Sequence, residues 1–176
     1  MKSVKCLLLS IAVLCTGFTA HADGLKVGDM APTFTLEASD GNTYDLAFFR
    51  GKRAVIIAWF PKAYTRGCTV ECKSLANNGH LIRKYDVAYF MASVDAVEDN
   101  AGFARETNAD FPLLSDPTKE TAKAYGVLLE QGYADRQTFY IGIDGAILKI
   151  DTEVNPETSA EDMVATLAAL EVALIQ

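Results

Sequence analysis

Apolar residues form short runs along the chain, and their lengths and spacing predict strands and helices. Two runs are apolar almost throughout, Ala54–Trp59 and Val87–Ser93, which is typical of strands covered on both faces of a sheet. Two further runs, residues 136–143 and 146–150, are separated by Asp144-Gly145. An aspartate-glycine pair between apolar runs predicts a hairpin. These four runs predict the central strands of one sheet.

Weaker strand patterns lie on either side of the central runs. Residues 33–36 alternate between polar and apolar positions, and the turn signal Asp40-Gly41-Asn42 separates them from a similar segment, residues 43–46. Residues 111–116 predict a short extended segment. We therefore expect shorter strands in addition to the central ones.

Helical periodicity marks residues 69–85, 99–107, 118–125 and 160–174. Asn77-Asn78-Gly79 weakens the middle of the first helix. Strands and helices alternate at first, and a hairpin followed by a helix ends the chain. This order predicts an α/β protein with a thioredoxin-like fold, in which helices flank a central mixed sheet in a single domain.

Residues 1–22 have the pattern of a signal peptide. Lys2 and Lys5 precede an apolar run from Cys6 to Ala20, and Ala20-His21-Ala22 offers a small-x-small cleavage site. Cleavage there would leave residues 23–176 as the mature domain. The sequence thus predicts an exported, periplasmic protein that has no membrane attachment after cleavage. The alternative is an uncleaved membrane anchor, because the apolar run is near the lower length limit for a spanning helix.

Charge and cysteine content narrow the function classes. The chain of 176 residues has a formal net charge of −7, which disfavours nucleic acids and anionic membrane surfaces as partners. Of its four cysteines, only Cys68 and Cys72 lie outside the predicted signal peptide. Two cysteines so close in sequence do not make a disulfide framework. We expect a redox-active pair.

The segment around Cys68 connects a predicted strand to a predicted helix. A cysteine at or near a helix N-terminus faces unpaired backbone N–H groups and the positive end of the helix dipole, which stabilise a thiolate. The alternative is that Cys68 is only a small buried apolar residue. Its position at a helix start, outside the apolar runs, favours a nucleophile.

The same segment resembles the active-site loop of the peroxiredoxins. Pro61, Thr65 and Cys68 read as Pro-x-x-x-Thr-x-x-Cys. The longer pattern Phe-Pro-Lys-x-x-Thr-x-Gly-Cys-Thr-x-Glu, residues 60–71, looks most like the bacterioferritin-comigratory (PrxQ) branch of that family. Gly-Asp-x-Ala-Pro-x-Phe, residues 28–34, is similar to the start of many family members.

The resemblance implies a thiol peroxidase that reduces hydrogen peroxide and organic hydroperoxides. Cys68 would attack the peroxide and become a sulfenic acid. Thr65 would place its hydroxyl against the sulfur and the peroxide, and Pro61 would rigidify the loop and shield the sulfur. Arg136, in an Arg-x-Thr-Phe segment similar to that of the family, would stabilise the thiolate and the leaving oxygen.

Two arginines compete for this role. A surface ion pair with Asp135 or Glu130 is the alternative role for Arg136. Arg66 is a rival guanidinium, at a position where the family often has proline. It would tune access to the sulfur or the choice of reductant, or it is simply a solvated arginine of the loop.

Cys72 departs from the branch, whose resolving cysteine usually lies five residues after the reactive one. At a spacing of four, the side chains lie about 40° apart around a helix, against about 140° at five. The Cβ atoms remain roughly 5–6 Å apart, whereas a disulfide needs about 3.5–4.5 Å, so the first turn must distort. We predict that Cys72 resolves Cys68 as an intramolecular disulfide. The alternative is a buried bystander. Glu71 is expected to act as a first-turn dipole partner or as a hydrogen-bond support for the loop.

Other functions for the cysteine pair remain open at this point. A Cys-x-x-x-Cys segment on a thioredoxin-like fold is similar to copper chaperones, but these need a histidine further along, and none follows His80. A thiol-disulfide oxidoreductase normally uses Cys-x-x-Cys. The peroxidase hypothesis requires no cofactor and no metal. Its implied partners are a peroxide and a thioredoxin-like protein or small thiol as reductant, and the implied assembly is a monomer or weak dimer.

Overall fold

The fold is built on one sheet of seven strands, which the computed structural model describes within residues 24–175. The predicted signal peptide, residues 1–22, lies outside the described residues. The strands are β1 Thr35–Ala38, β2 Thr43–Asp45, β3 Ala54–Trp59, β4 Val87–Ser93, β5 Leu113–Ser115, β6 Gln137–Ile141 and β7 Ile147–Asp151. The helices are α1 Arg66–Ile82, α2 Val97–Thr107, α3 Glu120–Ala124 and α4 Ser159–Ala169, with a short 3-10 helix at Leu46–Phe48.

The sheet is mixed, with the strand order β2-β1-β5-β4-β3-β6-β7. Strands β3, β4 and β5 are parallel to one another, and the remaining neighbours pair in antiparallel directions. The two predicted hairpins, β1–β2 and β6–β7, are confirmed. Gly145 turns the second hairpin with a φ of +89°, in the left-handed region that favours glycine.

Strand β3 is covered on both faces, as its apolar composition predicts. Its alternate residues Ala54, Ile56 and Ala58 pack in a core with side chains from α1, α2 and α4. The residues between them, Val55, Ile57 and Trp59, pack on the other face with the 3-10 helix, α3 and the N-terminal strands. The predicted arrangement of helices around a central mixed sheet in one domain is therefore confirmed. Among residues 24–175, no helix has the length and apolar character needed to cross a membrane.

Helix α1 begins and ends earlier than the sequence predicts. We expected residues 69–85, whereas the helix runs from Arg66 to Ile82, and Asn77-Asn78-Gly79 does not interrupt it. The backbone of Thr65 is extended, and its carbonyl accepts the N–H of Thr69 at 2.9 Å, so the turn between them already belongs to the helix. Cys68 consequently lies inside the first turn.

Helix α4 is shorter than expected, since it ends at Ala169 and not at residue 174. Glu171 has a φ of +54°, and this left-handed conformation turns the chain away from the helix axis. The following residues bond to the segment after α1: Ala173 O accepts from Asp86 N at 2.7 Å, and Ile175 N donates to Lys84 O at 2.9 Å. Leu170 and Val172 pack, partly buried, against the core beyond the end of the helix, so the apolar residues of this segment do not require a longer helix.

Candidate active site

The site forms where β3 leaves the sheet and α1 begins. Phe60 continues from β3, and its N–H donates to Ala92 O at 2.9 Å, which fixes the start of the loop against β4. The loop spans residues 60–65 and leads into α1 at Arg66. Cys68 is the third residue of that helix, and its side chain is buried. The sulfur therefore lies at the N-terminal end of the helix dipole, which favours negative charge.

The sheet register brings Arg136 to Cys68. Strand β6 is antiparallel to β3, and Gln137 is the partner of Trp59. Arg136, the residue before Gln137, therefore lies beside the loop that follows Trp59. Its Nη2 donates to Cys68 Sγ at 3.2 Å. A guanidinium at this distance attracts the negative charge of a thiolate and of an oxygen that leaves a peroxide.

Glu71 completes the arrangement from a position that the sequence analysis did not assign correctly. We expected either a first-turn dipole partner or a hydrogen-bond support for the loop. Since α1 begins at Arg66, Glu71 lies in the second turn, and the first of these two roles is wrong. Its side chain is fully buried and forms an ion pair with Nη1 of Arg136. The guanidinium thus contacts Cys68 with one terminal nitrogen and Glu71 with the other, and this fixes its orientation. The alternative ion pair of Arg136 with Asp135 or Glu130 is not the one that forms.

Thr65 and Pro61 lie in the loop, on the approach to the helix. Thr65 precedes the first helical residue, and its hydroxyl donates to Lys62 O at 3.0 Å instead of capping the helix. The lone pairs of that oxygen remain available to accept a hydrogen bond. Pro61 follows the buried Phe60 and is half-buried. The structure brings Arg136 to the sulfur, whereas the hydroxyl of Thr65 is used within the loop.

The loop is held against the rest of the fold by two contacts that the sequence analysis did not foresee. A carboxylate oxygen of Asp95, two residues beyond the end of β4, accepts the N–H of Ala63 at 2.9 Å, so Asp95 supports the loop. Tyr64 has a φ of +65°, which is uncommon for a tyrosine. Its ring packs edge-on against Phe103 of α2 at 5.4 Å between centroids. Both contacts restrict the loop ahead of Cys68.

Cys72 lies one turn further along α1 in a different environment. Its side chain is fully buried, and its Sγ lies 3.1 Å from the hydroxyl of Thr107 at the end of α2. Burial raises the pKa of Cys72 to about 11. Cys68 and Cys72 are both free thiols in the structure. The two sulfurs are thus unlike: one contacts a cation, and the other contacts a neutral hydroxyl.

The described residues also bear on the metal-binding alternative. His80 is exposed on α1, two helical turns beyond Cys72. Within residues 24–175, no group of three or more histidine, cysteine, aspartate or glutamate side chains is placed to hold a metal ion. The cysteine pair therefore has no third ligand among the described residues.

Part of what the sequence analysis missed was accessible from helix geometry. Side chains three and four apart share a helix face, and the buried face of α1 carries Cys68, Glu71, Cys72 and Leu75. A carboxylate on the same buried face as the reactive sulfur requires a cation beside it. Because Arg136 was already the candidate cation for Cys68, that requirement would have paired Glu71 with it. The contact between Cys72 and Thr107 has no comparable signal in the sequence.

Comparisons with known proteins bear on the family of this chain. The AhpC/TSA family matches residues 27–150. Peroxiredoxin Bcp of Escherichia coli strain K12 is 35% identical over 130 residues, which covers 70% of this chain and 83% of that protein. The crystal structure of peroxidoxin BcpB from Mycobacterium tuberculosis aligns with a TM-score of 0.74 at 29% identity, over 82% of this chain and 97% of that chain. A PrxQ mutant from Xylella fastidiosa has the same fold, with a TM-score of 0.77 at 22% identity, over 84% of this chain and 98% of that chain.

The family match includes the loop, both cysteines and Arg136. It confirms the resemblance that the Pro-x-x-x-Thr-x-x-Cys segment indicates, and the structural relatives confirm the thioredoxin-like fold. The chain therefore belongs to the AhpC/TSA family and is a peroxiredoxin, similar to the Bcp and PrxQ proteins.

Proposed function

We propose that this peroxiredoxin reduces hydrogen peroxide and organic hydroperoxides with Cys68 as the attacking residue and Cys72 as the resolving residue. The observation that supports the proposal most directly is the contact of Arg136 Nη2 with Cys68 Sγ at 3.2 Å. It gives one of the two sulfurs a cationic partner at a helix N-terminus, where a thiolate is favoured. The contact of Cys72 with Thr107 provides no such charge.

In the first step the Cys68 thiolate attacks the terminal oxygen of the peroxide. An S–O bond forms and the O–O bond breaks, so that the sulfur becomes a sulfenic acid and the peroxide leaves as an alcohol, or as water, after taking up a proton. Negative charge develops on the leaving oxygen as the O–O bond lengthens. Arg136, which contacts Cys68 and pairs with Glu71, would stabilise that charge. Thr65 has oxygen lone pairs free to orient a peroxide that donates a hydrogen bond.

In the second step Cys72 attacks the sulfur of the Cys68 sulfenic acid. An S–S bond forms, and the hydroxyl group leaves with a proton as water. A thioredoxin-like protein or a small thiol then reduces the disulfide and returns both thiols. The overall reaction converts one peroxide and one dithiol to an alcohol or water, a second water and one disulfide. We propose a monomer or weak dimer for the working enzyme, since each step uses residues of one chain.

The test is an intact mass measurement on the reduced protein before and after one equivalent of hydrogen peroxide. We expect rapid loss of two hydrogens in the wild type, no rapid change in Cys68→Ser, and addition of one oxygen in Cys72→Ser. Addition of oxygen to the wild type would refute resolution by Cys72 and keep the peroxidase activity. If neither the wild type nor any variant changes rapidly in mass, both steps are refuted. Repeating the measurement with cumene hydroperoxide tests the proposed acceptance of organic substrates.

The proposed setting is the periplasm, with residues 1–22 acting as a cleaved signal peptide. The motif Ala20-His21-Ala22 supports cleavage before Asp23. The full 176-residue sequence is expressed in a Gram-negative host, the cells are fractionated, and the N-terminus of the protein product is sequenced. A periplasmic product that begins at Asp23 is expected, whereas a cytoplasmic product that retains residues 1–22 would refute export.

A further inference from the structure

Cys72 contacts one buried side chain of the neighbouring helix α2. Its Sγ lies 3.1 Å from Oγ1 of Thr107, the last residue of α2, and both side chains are almost inaccessible to solvent. The contact joins α1 to α2 across 35 residues of sequence. The attack of Cys68 on a peroxide does not involve it. Its effect must therefore be sought in the second step.

The hydrogen of the Thr107 hydroxyl already has an acceptor. Oγ1 lies 2.7 Å from the carbonyl oxygen of Phe103, one helical turn earlier, a bond that threonine commonly makes inside a helix. A hydroxyl has one hydrogen and two lone pairs. With its hydrogen directed to Phe103, the oxygen accepts a hydrogen bond from the S–H group of Cys72. This contact belongs to the thiol form, because a disulfide sulfur has no hydrogen to donate.

The contact must also break for resolution to occur. Cys68 is held toward Arg136 beside β6, whereas Cys72 is held toward α2. Side chains four apart in a helix have Cβ atoms roughly 5–6 Å apart, and a disulfide needs about 3.5–4.5 Å. The turn that joins the two cysteines must therefore distort, and the sulfur of Cys72 must move away from Thr107.

We propose that Thr107 is a positioning residue for the resolution step, which holds Cys72 as a reduced thiol against α2 and limits the rate at which it reaches the oxidised Cys68. The inference rests on the proposed role of Cys72 as the resolving residue. It assigns a further consequence to the contact: Thr107 favours the reduced pair over the disulfide at equilibrium, because only the reduced form makes the bond.

The test compares Thr107→Val, which keeps the shape and removes the acceptor, with Thr107→Ser, which keeps the hydroxyl. The reduced proteins are mixed with hydrogen peroxide and quenched at intervals, and their intact masses are measured, so that the sulfenic acid and the disulfide are followed separately. We expect the sulfenic acid of Thr107→Val to convert to the disulfide about two- to fivefold faster than that of the wild type. This is the lower part of the range for one lost neutral hydrogen bond, because a thiol is a weak donor. Thr107→Ser should stay near the wild-type rate. Formation of the sulfenic acid should be unchanged in both variants.

The equilibrium between the dithiol and the disulfide provides a second readout, because only the reduced form makes the bond to Thr107. With mixtures of reduced and oxidised glutathione, Thr107→Val should favour its disulfide about two- to fivefold more than Thr107→Ser does. If the valine variant does not fold, Thr107→Ala is compared with Thr107→Ser, since these two side chains differ only by the hydroxyl. The variant without the hydroxyl is again expected to be faster and more easily oxidised.

The outcomes separate this inference from the proposed function. Conversion in Thr107→Val, or in the alanine variant, that is equal to or slower than in Thr107→Ser would overturn the role of Thr107 and leave Cys72 as the resolving residue. A wild-type protein that gains one oxygen and never loses two hydrogens would instead overturn the proposed role of Cys72, and the inference with it.

Discussion

Removal of the Arg136 guanidinium should affect chemistry and stability through two different contacts. Nη2 contacts Cys68, and Nη1 forms the ion pair with Glu71. The side chain of Glu71 is 0% exposed and that of Arg136 is 19% exposed, so the pair is almost fully shielded from solvent. Arg136→Met keeps much of the side-chain length but leaves a buried carboxylate without its cation.

The two effects can be given separate magnitudes. Breaking a buried ion pair by removing one partner typically destabilises a protein by about 3–5 kcal/mol. Loss of a group that stabilises charge in the transition state typically lowers a rate by about 10²–10³-fold. The double variant Arg136→Met with Glu71→Gln removes the uncompensated charge, so most of the stability should return. The rate should not, because the guanidinium beside Cys68 is still missing.

The assay follows urea unfolding of the reduced proteins through Trp59, the single tryptophan, and the rate of Cys68 oxidation by rapid quench and intact mass. Arg66→Met is the matched control. Arg66 is the exposed first residue of α1, two residues before Cys68, and its replacement should keep a rate within about threefold of the wild type. A double variant that regains both stability and rate would show that Arg136 has only a structural role. A large loss of rate in Arg66→Met would move the catalytic role to the rival guanidinium.

Three further outcomes follow from neighbouring contacts. A Cβ at Gly67 would lie 3.3 Å from Nη2 of Arg136, so Gly67→Ala should leave the melting temperature unchanged or higher through helix propensity, while Cys68 oxidation slows by up to about tenfold. Burial raises the pKa of Cys72 to about 11 in the folded state, so the folded protein favours the neutral thiol. The stability that this provides is complete below about pH 8.5 and is lost as the pH rises through 11. Urea unfolding over that pH range should therefore show that the reduced wild type loses about 3 kcal/mol more stability than Cys72→Ala does. Asp95→Ala removes the acceptor of the Ala63 N–H, which should lower stability by about 1–2 kcal/mol and slow Cys68 oxidation, and Asp95→Asn should recover most of both in the same two assays. An equal loss of stability at high pH in the wild type and Cys72→Ala would contradict the environment assigned to Cys72. Equal stability and oxidation rate in Asp95→Ala and Asp95→Asn would contradict the assigned contact of Asp95 with Ala63.

The parts of the fold that depend on local composition were predicted well from the sequence. Strands β3 and β4 were located to the residue, because each is an almost uninterrupted apolar run that is covered on both faces of the sheet. The β6–β7 hairpin followed from Asp144-Gly145 in the same way. The helix boundaries were less accurate, since the ends of α1 and α4 depend on the extended backbone of Thr65 and the left-handed backbone of Glu171. Such conformations are set by long-range packing.

The site itself could be predicted only where a short motif carried it. The loop from Pro61 to Cys68 is continuous in sequence, and its resemblance to the peroxiredoxins was enough to assign it. Arg136 was likewise predicted from the resemblance of its Arg-x-Thr-Phe segment, whereas periodicity alone does not predict that Gln137 pairs with Trp59 and so brings Arg136 to the sulfur. The contact of Thr107 with Cys72 depends on how α2 packs against α1, so no local sequence pattern predicts it.

The spacing of the cysteines explains why packing matters so much for the second one. Members of the similar branch usually carry the resolving cysteine five residues after the reactive one, and in this chain that position is the exposed Lys73. The fourth position, Cys72, faces α2 and is fully buried. A sulfur at the exposed position would leave the helix without disturbing the core, whereas the proposed attack by Cys72 would first require the loss of its buried contacts. If Cys72 resolves Cys68 as proposed, the shorter spacing places the resolution step under the control of the α1–α2 interface, and Thr107 of that interface would then limit how fast the sulfenic acid is consumed.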